Sequence, residues 1–185
     1  MVGLGNPGRE YERSRHNAGF MVAARLAERW EMPRAKDKFG ARITEGRIRP
    51  GGPRVVLMTP LTYMNESGKS AGPARGSKKI PLDRVIAVYD EIDLPFGEIR
   101  TRLGGGAAGH NGVKSLKQGF GSAGFWRVRI GVDRPDSTDP ERVAAYVLGK
   151  FSESREQVEE LIDDGARETE RLVERIAAGE TVDGD

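Results

Sequence analysis

Five consecutive apolar residues, Val85-Ile86-Ala87-Val88-Tyr89, run straight into the carboxylates Asp90, Glu91 and Asp93. A strand with one wet face alternates apolar and polar side chains. An uninterrupted run therefore predicts a strand covered on both faces, the situation of a parallel sheet between helices. Shorter segments fit around it. The chain starts inside a strand, with only Met1-Val2 ahead of the turn Gly3-Leu4-Gly5-Asn6-Pro7-Gly8. Segments 42–47 and 54–58 read as neighbouring strands joined by Pro50-Gly51-Gly52-Pro53, and further strands are predicted over 98–103 and 126–132. A helix is predicted over 17–30, with Phe20, Met21, Ala24, Leu26 and Ala27 on its apolar face. A second runs from a Thr62 cap through Ser70, and a third from His110-Asn111 through Leu116. The last covers 152–178, with Val158, Leu161, Ile162, Leu172, Val173 and Ile176 at helical spacing. There is no repeat and no linker. The expectation is one domain over 1–185 of the α/β class, with helices around the sheet, an acidic helix at 152–178 and a short tail at 179–185.

Chemistry is narrowed by what the chain lacks. It has no cysteine, which excludes disulfides, thiol catalysis and cysteine-based zinc sites, and two histidines make no convincing metal site. No apolar run approaches the roughly 20 residues of a membrane span and the first residues are no signal peptide, so a cytoplasmic protein is expected. Histidine is the side chain whose ordinary pKa suits acid–base work near neutral pH. Both histidines, His16 and His110, precede an asparagine and stand in polar surroundings near glycine. An isolated histidine is more often a surface or capping residue than a catalyst, so its neighbours must decide.

Two short patterns are decoys. Gly3-x-Gly5-x-x-Gly8 matches the dinucleotide-binding fingerprint. That site needs a helix beginning at the third glycine and an acidic residue ending a second strand. Here Pro7 precedes Gly8, polar residues follow, and the acidic candidate Glu28 falls within a predicted helix. Gly68-Lys69-Ser70-Ala71-Gly72 fits G-x-S-x-G, and Ser70, Asp90 and His110 follow the chain order of a serine-hydrolase triad. The elbow requires a strand directly before the serine, whereas Thr62-Tyr63-Met64-Asn65-Glu66-Ser67 is polar. A serine esterase is carried as an alternative.

Asp90 falls at the carboxyl end of the apolar strand, where open α/β sheets collect functional groups. A carboxylate there can accept an imidazole Nδ1–H and fix the tautomer; equally, it could cap a turn before Pro95. Asn6, Asn65 and Asn111 stand in predicted loops or helix starts. Their amides could serve an oxyanion, or simply a turn. Charge is uneven: residues 152–185 carry 4 basic and 12 acidic groups, a balance of −8, against +10 over residues 1–151. A basic body suits a polyanionic partner, and an unevenly charged soluble surface would look the same.

Longer segments carry a resemblance. Val2-Gly3-Leu4-Gly5-Asn6-Pro7-Gly8 with Tyr11 and Arg15-His16-Asn17-Ala18-Gly19 resembles the N-terminal signature of bacterial-type peptidyl-tRNA hydrolases. Pro60-Leu61-Thr62-Tyr63-Met64-Asn65-Glu66-Ser67-Gly68, Tyr89-Asp90-Glu91-Ile92-Asp93-Leu94-Pro95 and Gly105-Gly106-Ala107-Ala108-Gly109-His110-Asn111-Gly112 are similar to its later motifs. Phe125-Trp126-Arg127-Val128-Arg129-Ile130-Gly131 and Tyr146-Val147-Leu148-Gly149-Lys150-Phe151-Ser152 follow in the expected order.

The resemblance implies a twisted, mixed, mostly parallel sheet surrounded by helices. It also implies a monomer that cleaves the ester between a peptide and the tRNA 3′ end, recycling tRNA in translation without cofactor or metal. His16 would be the general base, Asp90 its orienting carboxylate, and Asn65 and Asn111 the groups that place water and oxyanion. Asn6, Tyr11, Tyr63 and Met64 would contact substrate. Arg102 and Arg129 would hold tRNA phosphate, with weaker expectations for Arg100, Lys114 and Lys117, and His110 would shape its loop. Relatives that only bind RNA make a non-catalytic module the other alternative. Three departures stand out. A few residues usual before Val2 are missing, which should shorten the first strand; Asp133 replaces a usual glycine; and the acidic tail after Gly179 matches nothing.

Overall fold

A computed structural model describes residues 1–180; residues 181–185 of the expected tail lie outside the described residues. One seven-stranded sheet runs through it. Its strands are β1 (Val2–Gly3), β2 (Lys36–Lys38), β3 (Ala41–Arg47), β4 (Arg54–Pro60), β5 (Ile86–Glu91), β6 (Ile99–Leu103) and β7 (Trp126–Gly131). They lie in the order β2-β3-β4-β1-β5-β7-β6. β4, β1, β5 and β7 are parallel neighbours, whereas β3 and β6 run against them. This is the mixed, mostly parallel α/β sheet expected.

β5 is buried at all six positions because helices cover both faces. Ile86 and Val88 join Val128 and Ile130 of β7 in one core, with Val22 and Leu26 of α1 (Ala18–Arg29) and Leu161 and Leu172 of α5 (Arg155–Ala178). Ala87 and Tyr89 point the other way, to Val2, Met58, Ala71 of α2 (Ser67–Lys78) and Val113 and Leu116 of α3 (Asn111–Phe120). The two-residue strand period thus splits one apolar run between two cores. The helices following β1 and β4, α1 and α2, lie on opposite faces, and this opens a crevice at the carboxyl ends of these strands.

Several expectations are corrected. The buried stripe of α1 is Ala18, Gly19, Val22, Ala23 and Leu26; Ala24 is exposed, and Phe20, Met21 and Ala27 lie at the margin. The stripe follows i, i+4 spacing from Ala18, and Gly19 brings the helix close, since a Cβ there would lie 2.2 Å from the Val88 carbonyl. Thr62 caps nothing, and its hydroxyl has no hydrogen-bond partner. A 3-10 turn, Met64–Glu66, leads into α2, which runs past Ser70 and through Pro73 to Lys78. Burial of Ala71 and Ala74 accompanies the backbone bond that Pro73 cannot make. α5 starts at Arg155 rather than 152, because Ser154 and Gln157 form a capping box. β2 and a short helix, α4 (Pro140–Leu148), had no counterpart in the predicted elements. Asp133 sits at φ 66°, the left-handed region that favours glycine; its carboxylate accepts the Arg134 N–H at 2.8 Å.

The charge imbalance also acquires a structural account. Glu159 and Asp163 of α5 pair with Arg25, Asp163 and Glu170 with Arg29, and Glu174 with Arg49. Much of the acidic helix is therefore spent on arginines of the body beneath it.

α2 and α3 pack at backbone contact, which a side chain at Gly68 would prevent: its Cβ would fall 1.9 Å from the Ser115 carbonyl. Gly68→Ala should force the helices apart and cost about 1–3 kcal/mol as overpacking. Thermal unfolding reads the loss; a midpoint unchanged from wild type would contradict this packing.

Candidate active site

The carboxyl ends of β1, β4 and β5 deliver the candidate residues to one cleft of about 710 Å³. Asn6 stands just beyond β1, His16 on a 3-10 turn (Arg15–Asn17) before α1, and Met64 and Asn65 on the turn before α2. Asp90 is near the end of β5, and His110 and Asn111 open α3. Tyr63 is at the mouth, 58 % exposed. The opposite wall is α4, through Pro140, Val143, Ala144, Val147 and Leu148, with Ile92 and Arg134 nearby.

The centre is Asp90, 2 % exposed, whose carboxylate accepts from two imidazoles. His16 Nδ1 lies 2.9 and 3.0 Å from its two oxygens, and His110 Nε2 lies 3.0 Å from Oδ1. Hydrogen bonding fixes both tautomers. His110 Nδ1 accepts the N–H groups of Gly112 and Val113 at 3.1 and 3.3 Å, capping α3, so its proton is on Nε2 and is donated to Asp90. His16 likewise donates from Nδ1, which leaves Nε2 as its basic atom. Burial by itself would raise the Asp90 carboxyl, but the facing His16 and His110 outweigh it and hold the group well below the usual carboxylate range. Ligand atoms of these three residues lie within 4.8 Å of one another, a spacing a metal ion could use. In the tautomers above, however, both nitrogens facing Asp90 carry protons.

A second network aligns the asparagines. The Asn17 amide clasps the Asn6 backbone, accepting its N–H at 2.8 Å and donating to its carbonyl at 3.0 Å. Asn6 Oδ1 in turn accepts the Met64 N–H at 2.7 Å, so Asn6 Nδ2 is the donor left for the cleft. Among the described residues, no hydrogen bond engages the Asn65 or Asn111 side chain, and both line the cleft. Asn17 was not singled out from the sequence, although it adjoins His16; its pairing with Asn6 across 11 residues has no periodic signature. The α4 wall was missed too. Its Val143 and Val147 are four apart, but they are flanked by the polar segment 133–142.

Other candidates fall elsewhere. Tyr11 is half-buried on a 3-10 turn and does not line the cleft. Arg102 is exposed on β6, beside Gly105. Arg129 pairs with Glu91 at 3.1 Å, and Arg100 pairs with Glu98. Lys114 is exposed and Lys117 half-buried on α3. The serine-triad alternative fails on geometry: Ser70 is buried in α2 and donates to the Gly40 carbonyl at 3.0 Å, while both His110 nitrogens are already engaged. The dinucleotide alternative fails as well, since a 3-10 turn follows Gly8 and α1 begins only at Ala18.

A family model described as peptidyl-tRNA hydrolase matches residues 1–182. A peptidyl-tRNA hydrolase from Bacillus pumilus is 47% identical over 155 residues, 84% of this chain and 80% of the relative. One from Geobacillus kaustophilus is 49% identical over 152 residues, 82% of this chain and 80% of the relative. A crystal structure of peptidyl-tRNA hydrolase from Acinetobacter baumannii superposes with a TM-score of 0.83 at 36% identity, covering 96% of this chain and 87% of that one. Among the described residues, no helix is long and apolar enough to cross a membrane.

The depressed Asp90 pKa has a stability consequence. Its contribution is complete above the unfolded value, about 4 for an aspartate, and is lost as pH falls through the lower folded value. Asp90→Asn deletes that component. Its unfolding free energy should therefore fall less steeply with acid below about pH 4 than that of wild type. Denaturant titrations at several pH values measure both slopes, and equal slopes would remove Asp90 from this role.

Proposed function

This chain belongs to the peptidyl-tRNA hydrolase family, and from that premise we propose that its cleft hydrolyses the ester joining a peptide to the 3′ end of tRNA, with His16 as general base. The observation that carries the reading is the bond from His16 Nδ1 to buried Asp90, which leaves Nε2 free to accept a proton. Water gives a proton to Nε2 as its oxygen attacks the ester carbonyl. Asp90 steadies the imidazolium so formed. The tetrahedral oxyanion accepts hydrogen bonds from the Asn65 and Asn111 amides. As it collapses, His16 returns the proton to the departing ribose oxygen, releasing tRNA and the peptide's carboxylic acid, which gives its proton to solvent. Asn6 Nδ2 donates to the acceptor end beside the ester, and Met64 and Tyr63 form the adjoining wall. No step needs a metal or cofactor.

The tRNA lies on the face away from α5, where the acidic helix does not consume the cations. Arg102, Lys114 and Lys117 supply phosphate contacts there, and Arg129 adds its charge after partial neutralisation by Glu91. Tyr11 sits outside the cleft and would meet RNA rather than the ester. Contacts favour the backbone and single-stranded acceptor end, the parts common to all tRNAs. In this reading the enzyme works as a cytosolic monomer in translation. A purely RNA-binding module has no need of two tautomer-locked imidazoles on one buried carboxylate, which favours catalysis over the binding-module alternative.

Release of peptide from N-blocked aminoacyl-tRNA should be rapid in wild type and fall about 10²–10⁴-fold in folded His16→Ala. Tight tRNA binding without turnover in wild type would overturn the hydrolase reading. Replacing Arg102, Lys114 and Lys117 together by alanine should weaken binding and flatten its dependence on salt, by about one unit of slope for each cation taken off a phosphate. An unchanged slope would place the RNA elsewhere.

A further inference from the structure

Arg15 precedes the proposed base directly, yet it does not line the cleft. Its side chain is only 6% exposed and is committed to the far end of α4. Nη1 donates to the carbonyls of Lys150 at 2.5 Å and Tyr146 at 3.4 Å, and Nη2 donates to Ser152 Oγ at 3.0 Å. The Glu153 carboxylate lies 3.6 Å away. The guanidinium sits 4.0 Å above the Tyr146 ring centre, a stacked cation geometry. The Arg15 backbone N–H also donates to the Gly149 carbonyl at 3.1 Å, and Tyr146 anchors its own hydroxyl on the Val132 carbonyl at 2.8 Å.

These bonds matter because α4 has little else to hold it. None of its nine residues is buried, and a helix that short is not stable alone. Its apolar side chains, Val143, Val147 and Leu148, face the cleft rather than a core, and Leu148 is 40% exposed. Near its start, the tether is the exposed Arg134–Asp93 ion pair, a weak kind of link. The helix is thus pinned at its carboxyl end by a buried arginine and left with an apolar face looking across the catalytic groups.

We infer that Arg15 is a positioning residue that holds α4 against the turn carrying His16, so that the apolar face of α4 grips the peptide half of the substrate. The inference rests on the hydrolase reading for the identity of that substrate. An apolar wall suits a peptide better than a phosphate backbone, so Arg15 sets how the acyl group is held rather than how the proton moves.

Two measurements test it on the full chain: amide hydrogen exchange across 140–149, and kcat and KM for peptidyl-tRNA with an apolar peptide. In Arg15→Met, exchange in α4 should quicken about tenfold or more while β5 and β7 keep their protection. KM should rise about tenfold as the fraction of molecules with α4 in place falls. The pH profile of kcat should keep its shape, because the His16–Asp90 pair is untouched. Arg15→Lys should not restore KM, since one ammonium cannot meet carbonyls, hydroxyl and ring together. Should Arg15→Met fail to fold, Tyr146→Leu removes the ring from the same latch and should give the same two changes. Unchanged α4 exchange, or a loss confined to kcat with an altered pH profile, overturns the inference. Absence of turnover in wild type would instead defeat the hydrolase reading, and exchange would still report whether Arg15 holds α4.

Discussion

A carboxylate buried at the end of a strand covered on both faces must find partners or stay protonated. Asp90 is in that position, and its solution organises the site. It takes one N–H from His16, on the turn before α1, and another from His110, at the start of α3. Because α1 and α3 lie on opposite faces of the sheet, the single carboxylate ties together two layers that share no core. Each imidazole is then fixed by what it does with its second nitrogen. His110 spends its own on capping α3, whereas His16 keeps its own free, so two copies of one residue type acquire different functions from their surroundings.

The amide network extends the same order to the third edge of the cleft. Asn17 follows His16 in sequence and clasps the Asn6 backbone; Asn6 holds the Met64 backbone, and Asn65 comes next. A displacement of His16 is therefore felt at the β1 turn and at the start of α2. The glycine contact between α2 and α3 closes the circuit, since it sets the spacing between α2, which follows the turn carrying Asn65, and α3, which begins at Asn111. The backbones that carry Asn65 and Asn111 are thus fixed by the fold, while their side chains keep their hydrogen-bonding groups for the cleft.

The sheet was legible because β5 is a local signal: its run of apolar side chains is unbroken up to the carboxylates, and only two covered faces allow that. The proposed catalytic residues were legible through motif resemblance rather than periodicity, since Asp90 on its own reads equally as a turn cap. What stayed hidden depends on contacts distant in sequence. The buried stripe of α1 could not be told from its neighbours, because Phe20, Met21 and Ala27 are as apolar as Val22 and Ala23, and the sheet decides which are covered. The helix start at His110 was legible, but its bond to Asp90, 20 residues away in sequence, was not. α4 was invisible for a different reason: its apolar residues face the cleft, so no core selected a longer stripe.

Charge makes the last physical point. The body's excess of cations invites the view that all of it faces a polyanion, but the structure divides it. Arg25, Arg29 and Arg49 are neutralised by α5, while Arg102 on β6 and Lys114 on α3 stand outside its reach. The acidic helix then does more than balance charge. Under the proposed reading, an approaching tRNA would be repelled from the α5 side and drawn to the opposite one, beyond contact range but within a Debye length of about 8 Å at physiological salt. The cleft opens where β1, β4 and β5 end, near the start of α3, so under the proposed hydrolase reading that bias would favour approach of the acceptor end from the α3 side. The same pairing docks α5 onto α1, so weakening it would loosen the fold and alter the surface charge together.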